Sequence, residues 1–197
     1  MTVMSIDTDL SHNYSEPKTP KPLLEIRGLT KDFDGHLAVD AVDLTINQGE
    51  IFALLGASGC GKSTLLRLLV RLLEPTHGVL ALNQHPINQF PLATLRQQVC
   101  MVLQDPFLFA DSLGDNIAYD DPNRSETEIM ASAEAAALTA TIASFPERLS
   151  TLLGERGVNL SGGQKQRTAL ARGLIRGTPI LILDDCFSAV DTATEEH

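Results

Sequence analysis

The chain of 197 residues is 43% hydrophobic and 20% charged, which is typical of one folded domain and argues against a disordered chain. Its 15 Lys and Arg residues against 25 Asp and Glu residues give a formal net charge of −10. Phosphate contacts require a basic face, so this balance argues against a nucleic-acid partner. The three cysteines, Cys60, Cys100 and Cys186, are too widely spaced for a disulfide framework and fit a reducing compartment.

The first 22 residues differ in composition from the rest of the chain. They are polar and include Pro17, Pro20 and Pro22, so we predict a flexible tail at residues 1–22 ahead of one domain at residues 23–197. The sequence has neither a basic segment followed by an apolar run nor an apolar stretch of about 20 residues. We therefore expect neither a signal peptide nor a membrane-spanning helix in it.

Short apolar segments separated by turns open the domain. Strands are predicted at residues 23–29, up to residues 44–46, and at residues 51–55. Turn residues at 34–35 and 47–50 separate these strands. This spacing indicates an antiparallel β subdomain beside a main sheet.

Helical patterns dominate the middle of the chain. Residues 64–73 are apolar on nearly every side, which predicts a buried helix, and residues 99–103 predict a buried strand. Residues 105–153 have helical character. Within them, Ser125 and Glu128 have capping-box spacing and open an Ala-rich helix that extends to about residue 144. The chain is therefore predicted to be an α/β protein with an inserted helical subdomain.

A phosphate-binding pattern lies between a predicted strand and a predicted helix. Residues 56–63, Gly-Ala-Ser-Gly-Cys-Gly-Lys-Ser, match G-x-x-x-x-G-K-[S/T]. Glycines let the backbone approach a phosphate closely, and the N–H groups at a helix start attract anions. We expect Lys62 to reach the β- and γ-phosphates and the Ser63 hydroxyl to ligate Mg²⁺.

Two further segments suit a bound nucleotide. Residues 180–183 predict a buried strand that presents Asp184 at its carboxyl end, where α/β sheets bind ligands, so Asp184 is a candidate Mg²⁺ ligand. An ordinary turn at Asp184 and Asp185 is the alternative interpretation. Residues 160–164, Leu-Ser-Gly-Gly-Gln, predict a helix that starts at Ser161, whose unpaired N–H groups form a second anion site.

Together these motifs resemble the nucleotide-binding domain of ABC transporters over about residues 23–196. The resemblance implies a P-loop NTPase (ABC ATPase) core with an antiparallel β subdomain and a helical subdomain at about residues 105–165. It implies Mg²⁺ and ATP as ligands, with Ser63, Gln104 and Asp184 serving the metal and Lys62, Gln104 and Asp185 serving catalysis. The residues that it assigns to ATP are Phe33, Gly56, Ala57, Ser58, Gly59, Cys60, Gly61, Lys62, Ser63, Thr64, Ser161, Gly162, Gly163 and Gln164.

The resemblance also implies partners and a location. Two such domains dimerise head to tail, with each ATP held between Lys62 and its neighbours on one copy and Ser161, Gly162 and Gly163 on the other. The dimer, of identical or different chains, serves transmembrane permease subunits at the cytoplasmic face of the cell membrane. Phe33 lies where the family places an aromatic that stacks on adenine, and a core aromatic is the alternative interpretation.

Three departures from the family pattern affect these expectations. Asp185 stands where the family usually has a Glu as general base, and the sequence given ends at His197, before the position of the family's switch His. These two features suggest, as an alternative, a C-terminally short, catalytically weak ATP-binding module. The third is a hypothesis of mosaic origin: residues 23–63 resemble polyamine-type importer ATPases, the chain from about Arg71 resembles exporters, and the seam lies within about residues 64–78.

Overall fold

A computed structural model describes residues 2–5 and 21–184 of the chain. These residues form two compact units, one made of residues 2–5, 21–101 and 178–184 and the other of residues 102–177. The predictions for Asp185 and for the residues that follow it lie outside the described residues.

Four strands come first in the described residues, and the last four α-helices follow one another before the last strand. The strands are β1 (Thr2–Ser5), β2 (Pro22–Phe33), β3 (His36–Asn47), β4 (Ile51–Ala53), β5 (His77–Leu82), β6 (His85–Pro86), β7 (Val99–Val102) and β8 (Ile180–Leu183). The α-helices are α1 (Lys62–Leu69), α2 (Leu92–Gln98), α3 (Leu113–Ile117), α4 (Glu126–Ala135), α5 (Thr139–Ser144) and α6 (Gly162–Leu174).

The first unit contains the predicted antiparallel β subdomain, a four-stranded sheet in the order β3-β2-β5-β6. The predicted turn joins β2 to β3 at Asp34 and Gly35, whose φ angles of 51° and 91° both lie in the left-handed region. Paired positive φ angles match the right-handed twist of a hairpin, which is why this short turn closes two 12-residue strands.

The second sheet of this unit has the order β4-β1-β8-β7. Its strand β1 pairs antiparallel with both β4 and β8, so four residues of the predicted tail belong to a sheet. The tail prediction is therefore wrong for Thr2–Ser5, because this short segment, with apolar Val3 and Met4 at its centre, completes the backbone hydrogen bonds of two neighbouring strands.

Helix α1 packs Leu65, Leu66, Leu68 and Leu69 into the core of the first unit, which confirms the predicted burial for these four residues. Arg67 and Leu72 are exposed, so the predicted burial on nearly every side is not observed. The helix nevertheless ends at Leu69 instead of residue 73. The backbone turns at Arg71, which has a φ of 51° and donates side-chain hydrogen bonds to the carbonyl oxygens of Ile87 and Phe90.

The second unit is helical, with its own apolar core that includes Leu108, Leu113, Ile117, Leu138 and Ile142. The predicted capping box at α4 is present, since Ser125 and Glu128 each accept a hydrogen bond from the other's backbone N–H. The Ala-rich segment forms two helices instead of one, because Ala137 adopts a φ of 52° and interrupts it between α4 and α5.

Within the residues that the structure describes, no helix has both the length and the apolar character needed to cross a membrane.

Candidate nucleotide-binding site

The glycine-rich loop between β4 and α1 packs against strand β3. Gly61 immediately precedes α1 and has a φ of 89°, a backbone conformation that favours glycine. A Cβ at this position would lie 2.0 Å from the carbonyl oxygen of Ala38. The loop can therefore take this path only because residue 61 has no side chain.

Lys62 folds back over the loop that precedes it. Its ammonium donates hydrogen bonds to the carbonyl oxygens of Gly56 and, at 2.8 Å, of Ala57. It also lies 3.5 Å from the Sγ of Cys60. The cation is thus held at the centre of the loop, where the sequence motif requires it.

The remaining loop residues face solvent. Ala57, Ser58, Gly59 and Cys60 are exposed, and so is Ser63 in the first turn of α1. Gly59 also has a positive φ, of 80°. The Cys60 N–H donates to the carbonyl oxygen of Ala57 at 3.3 Å, which closes a turn within the loop. Exposed residues beside a helix start allow an anion to approach, and the phosphate site stays a prediction.

A cavity of about 340 Å³ opens beside this loop within the first unit. Its walls are largely apolar and come from β3, from the residues that follow β4 and from the start of α1. The lining residues are Leu37, Ala38, Val39, Asp40, Val42, Leu54, Leu55, Cys60, Gly61, Lys62 and Leu65. Ligand cavities of this size and apolar character accept small molecules, and this one adjoins the cation of Lys62.

Phe33 lies at the end of β2, before the hairpin turn, and does not line that cavity. Its side chain is 42% exposed, so it is not a core aromatic. The Lys31 ammonium lies 5.0 Å from the centre of its ring. An exposed ring is compatible with stacking on a base, and the stacking itself stays a prediction.

The second sheet places Asp184 beside the start of the glycine-rich loop. Strands β4 and β8 are parallel to each other because both pair antiparallel with β1, and Thr2 is the register partner of both Ala53 and Leu183. Neighbouring strands are about 4.8 Å apart, so Ala53 and Leu183 lie about 10 Å apart at one level. The chain then leaves β4 for the loop and β8 for Asp184 at the same edge.

In the second unit, Ser161 caps the N-terminus of α6 as predicted. Its hydroxyl accepts a hydrogen bond from the N–H of Gln164 at 3.3 Å, and the side-chain oxygen of Gln164 accepts one from the N–H of Ser161 at 2.9 Å. The N–H groups of Gly162 and Gly163 have no partner within the helix, and its first turn carries no acidic residue. This helix start can therefore bind an anion.

Gln104 follows β7 in an exposed loop of the second unit. Its backbone carbonyl accepts a hydrogen bond at 3.1 Å from the side-chain amide of Gln166, which is 6% exposed. Arg172, further along α6, donates hydrogen bonds to the carbonyl oxygen of Phe107 at 2.8 Å and to the backbone and side-chain oxygens of buried Asn116.

Sequence reasoning did not single out Gln166, Arg172 and Asn116. All three hold the loop that carries Gln104. The sequence shows only that Gln166 lies within a basic amphipathic helix. The periodicity of that helix does not reveal which residue the Gln166 side chain contacts.

A glycine-rich loop that enters a helix, with a carboxylate at the same sheet edge, defines a nucleotide-binding domain of the P-loop class. The family model described as ABC transporter matches residues 39–188. This match covers more than half of the chain, and the chain belongs to the ABC transporter family, whose ATPase domain it contains.

Several curated proteins and a solved structure are similar to the chain. The ATP-dependent lipid A-core flippase of Dechloromonas aromatica is 43% identical over 194 residues, covering 97% of the chain and 33% of the flippase. The putative multidrug export ATP-binding/permease protein YgaD of Bacillus subtilis is 46% identical, covering 79% of the chain and 27% of that protein. The ATP-bound structure of a bacterial Atm1-family ABC exporter has a TM-score of 0.83 and 36% identity, covering 90% of the chain and 32% of the exporter.

The chain thus spans a third or less of the length of these relatives. The fold prediction, an ABC ATPase core of mixed sheet and helix content, is confirmed. Membership of a family with exporter-type relatives is confirmed as well.

Proposed function

We propose that the chain binds and hydrolyses ATP as the ATPase domain of an ABC transporter. The observation that carries this proposal is the shared sheet edge, where β4 leads into the glycine-rich loop and β8 leads to Asp184. An anion-binding loop and a carboxylate at one edge suit a triphosphate and its metal ion.

Lys62 binds the β- and γ-phosphates in this proposal. Its ammonium is already on the loop, where neutral carbonyl oxygens of Gly56 and Ala57 accept its hydrogen bonds. A charged phosphate oxygen forms a stronger hydrogen bond with an ammonium than a carbonyl oxygen does. The triphosphate therefore displaces these carbonyls. Phe33, which lies outside the adjoining cavity, is the proposed residue that stacks on the base.

Mg²⁺ fits the oxygen groups of this edge. The Ser63 hydroxyl is exposed in the first turn of α1, and Asp184 follows β8 directly. Hydroxyl, carboxylate and phosphate oxygens are the ligands that Mg²⁺ prefers. The ion would be held by Ser63 and Asp184, with Gln104 as the third proposed ligand, and when bound it neutralises part of the phosphate charge.

Asp185 is the proposed general base and Gln104 the residue that orients the attacking water. An Asp carboxylate reaches less far than the Glu carboxylate that the family pattern has at this position, because it has one methylene fewer. A misplacement of about 1 Å can lower a rate by about a hundredfold. We therefore expect slow turnover.

A second ATP-binding domain completes the site. The start of α6, with Ser161, Gly162 and Gly163, is an anion site that the ATP on a neighbouring copy would occupy. Binding of one triphosphate by two copies explains why ATP would hold a head-to-tail dimer together and why hydrolysis would release it. The partner is either identical to this chain or another chain of the same type.

Membrane coupling is proposed for an aromatic cluster in the second unit, formed by Phe107, Phe109 and Tyr119. These rings are 53%, 36% and 61% exposed, and Phe109 stacks on Tyr119 with 4.4 Å between ring centres. Exposed aromatic clusters mark protein contacts. The cluster is the proposed contact for a transmembrane permease, which would place the chain at the cytoplasmic face of the cell membrane.

The direction of transport is proposed to be export. The flippase relative covers 97% of the chain and thus both sides of the seam predicted within residues 64–78, which supports one exporter-type origin. The importer resemblance of residues 23–63 stays a prediction. Separate comparisons of residues 23–63 and 71–184 with importer and exporter ATPases test it. If both segments matched the same type of transporter, the hypothesis of mosaic origin would be contradicted.

The experiment that tests the proposed function is ATP binding and steady-state hydrolysis by the purified chain with Mg²⁺, beside Lys62→Ala. We expect wild-type turnover to be slow and Lys62→Ala to abolish both binding and turnover, because it removes the phosphate-binding cation. Arg67→Ala is the matched control, since it removes an exposed positive charge from the same helix. Equal ATP binding by wild type and Lys62→Ala would contradict the proposal.

A further inference from the structure

Helix α6 holds the Gln104 loop through two side chains. Gln166 donates from its Nε2 to the carbonyl oxygen of Gln104 at 3.1 Å, and Arg172 donates from its Nη1 to the carbonyl oxygen of Phe107 at 2.8 Å. Residues 104–107, which contain both acceptor carbonyls, belong to no helix or strand. Irregular exposed loops are mobile unless side chains fix them, so these two contacts contribute to the position of Gln104.

The Gln166 amide is buried at a cost. Its side chain is 6% exposed, and its Oε1 has no hydrogen-bond partner among the described residues. A buried amide with an unsatisfied oxygen costs about 1–3 kcal/mol, and an apolar residue of the same length avoids that cost. A residue that served packing alone would not need an amide. The hydrogen bond to the Gln104 carbonyl oxygen does require one, because the amide Nε2 is its donor.

We propose that Gln166 is a positioning residue for Gln104. Its amide fixes the Gln104 backbone relative to α6, the helix that starts at the Ser161 anion site, so that the Gln104 side chain meets the attacking water in one orientation. This inference rests on the proposed function, since Gln104 is the water-orienting residue there. It assigns Gln166 no contact with nucleotide.

The test compares Gln166→Met, which keeps length and apolar volume and removes the donor, with Thr168→Val. Thr168 is buried on the same helix, and its hydroxyl donates to the carbonyl oxygen of Gln164, so its replacement also removes one hydrogen bond without touching Gln104. We expect Gln166→Met to lower kcat by about tenfold to a hundredfold with little change in KM for ATP, because misplacement affects the reacting geometry and not nucleotide affinity. Thr168→Val should leave kcat within about twofold of wild type.

Three measurements separate positioning from a structural role. The melting temperature of Gln166→Met should equal or exceed that of wild type, because the unpaired Oε1 is removed and the exposed Gln104 carbonyl can bond to water. Backbone amides in residues 103–107 should exchange hydrogen faster in Gln166→Met than in Thr168→Val. Gln166→Met should lower kcat no further when Gln104 is already Ala, because the two residues act as one unit.

A kcat that falls equally in the Gln104→Ala background, or a loss of kcat that accompanies a lower melting temperature, would overturn the proposal. Unchanged exchange in residues 103–107 would overturn it too. If the wild-type chain binds ATP without Lys62 dependence or does not hydrolyse it, the proposed function fails, and the exchange data alone decide whether Gln166 holds the loop.

Discussion

The Gly61 backbone lies against the carbonyl oxygen of Ala38 so closely that a Cβ on residue 61 would be 2.0 Å from that oxygen. This contact joins the glycine-rich loop to strand β3, the strand that also lines the neighbouring cavity. The position of the Lys62 ammonium therefore depends on a residue with no side chain.

We predict that Gly61→Ala lowers ATP affinity by at least about tenfold, because the loop must move away from β3 to accommodate the methyl group. Gly49→Ala is the matched control, since Gly49 has a φ of 78° and open space around its Cβ position. It should cost about 1–2 kcal/mol of folding stability from backbone strain alone and leave ATP binding intact. Titration calorimetry with the two variants measures the difference, and equal affinities would contradict the steric argument.

Asp185→Glu is expected to raise turnover. The longer side chain brings the carboxylate about 1 Å closer to the attacking water, a displacement that can change a rate by about a hundredfold. The increase should appear in kcat and leave the Kd for ATP nearly unchanged, because the base contacts water and not nucleotide. Steady-state assays beside Asp184→Asn provide the control, since loss of the proposed metal ligand should abolish turnover. A kcat that Asp185→Glu does not raise would show that the length of this carboxylate does not limit the rate.

The motif residues were predictable because each depends on its immediate neighbours. The cap at Ser161 requires only Gln164 three residues later, and the strand before Asp184 is recognisable from four consecutive apolar residues, all of them buried. Local patterns of this kind are preserved in the fold, since helix starts and buried strands have strong sequence preferences.

The long-range contacts were not predictable from the sequence. Gln166 and Gln104 are 62 positions apart, and Arg172 and Phe107 are 65 apart, so no periodicity connects them. The early end of α1 at Leu69 has a similar cause. Its apolar pattern continues to residue 73, but the left-handed backbone of Arg71 and its hydrogen bonds to a later loop stop the helix.

Alkylation of Cys60 by a thiol reagent should block ATP binding, and bound ATP should protect the thiol. Cys60 is exposed in the loop, 3.5 Å from the Lys62 ammonium, whereas Cys100 is buried. An added group at this position would occupy the space that the phosphates need. N-ethylmaleimide labelling with and without ATP, read by mass spectrometry, measures the effect, and Cys60→Ser should bind ATP and resist the reagent. Equal labelling of Cys60 with and without ATP would contradict the prediction.

Glu128 is expected to stabilise the helical unit in a pH-dependent way. A hydrogen bond from the Ser125 hydroxyl, another from the Ser125 backbone N–H and a third from Arg124 lower the pKa of the Glu128 carboxyl below its ordinary value of 4.5. A carboxyl with a lowered pKa in the folded state contributes stability that is fully present above its unfolded pKa and is lost as the pH falls through the folded pKa.

Urea unfolding of wild type and Glu128→Gln as a function of pH measures this contribution. Gln can still accept the capping bond from Ser125, so the comparison isolates the charge. We expect wild type to be the more stable at neutral pH. The difference should shrink as the pH falls below 4.5, because the Glu128 carboxyl is protonated in the unfolded chain before it is protonated in the folded chain. Glu126→Gln removes an exposed charge from the same first turn of α4 and should show a smaller pH-dependent difference. A wild-type advantage over Glu128→Gln that stayed constant down to about pH 2 would mean that the charge of Glu128 does not stabilise the cap.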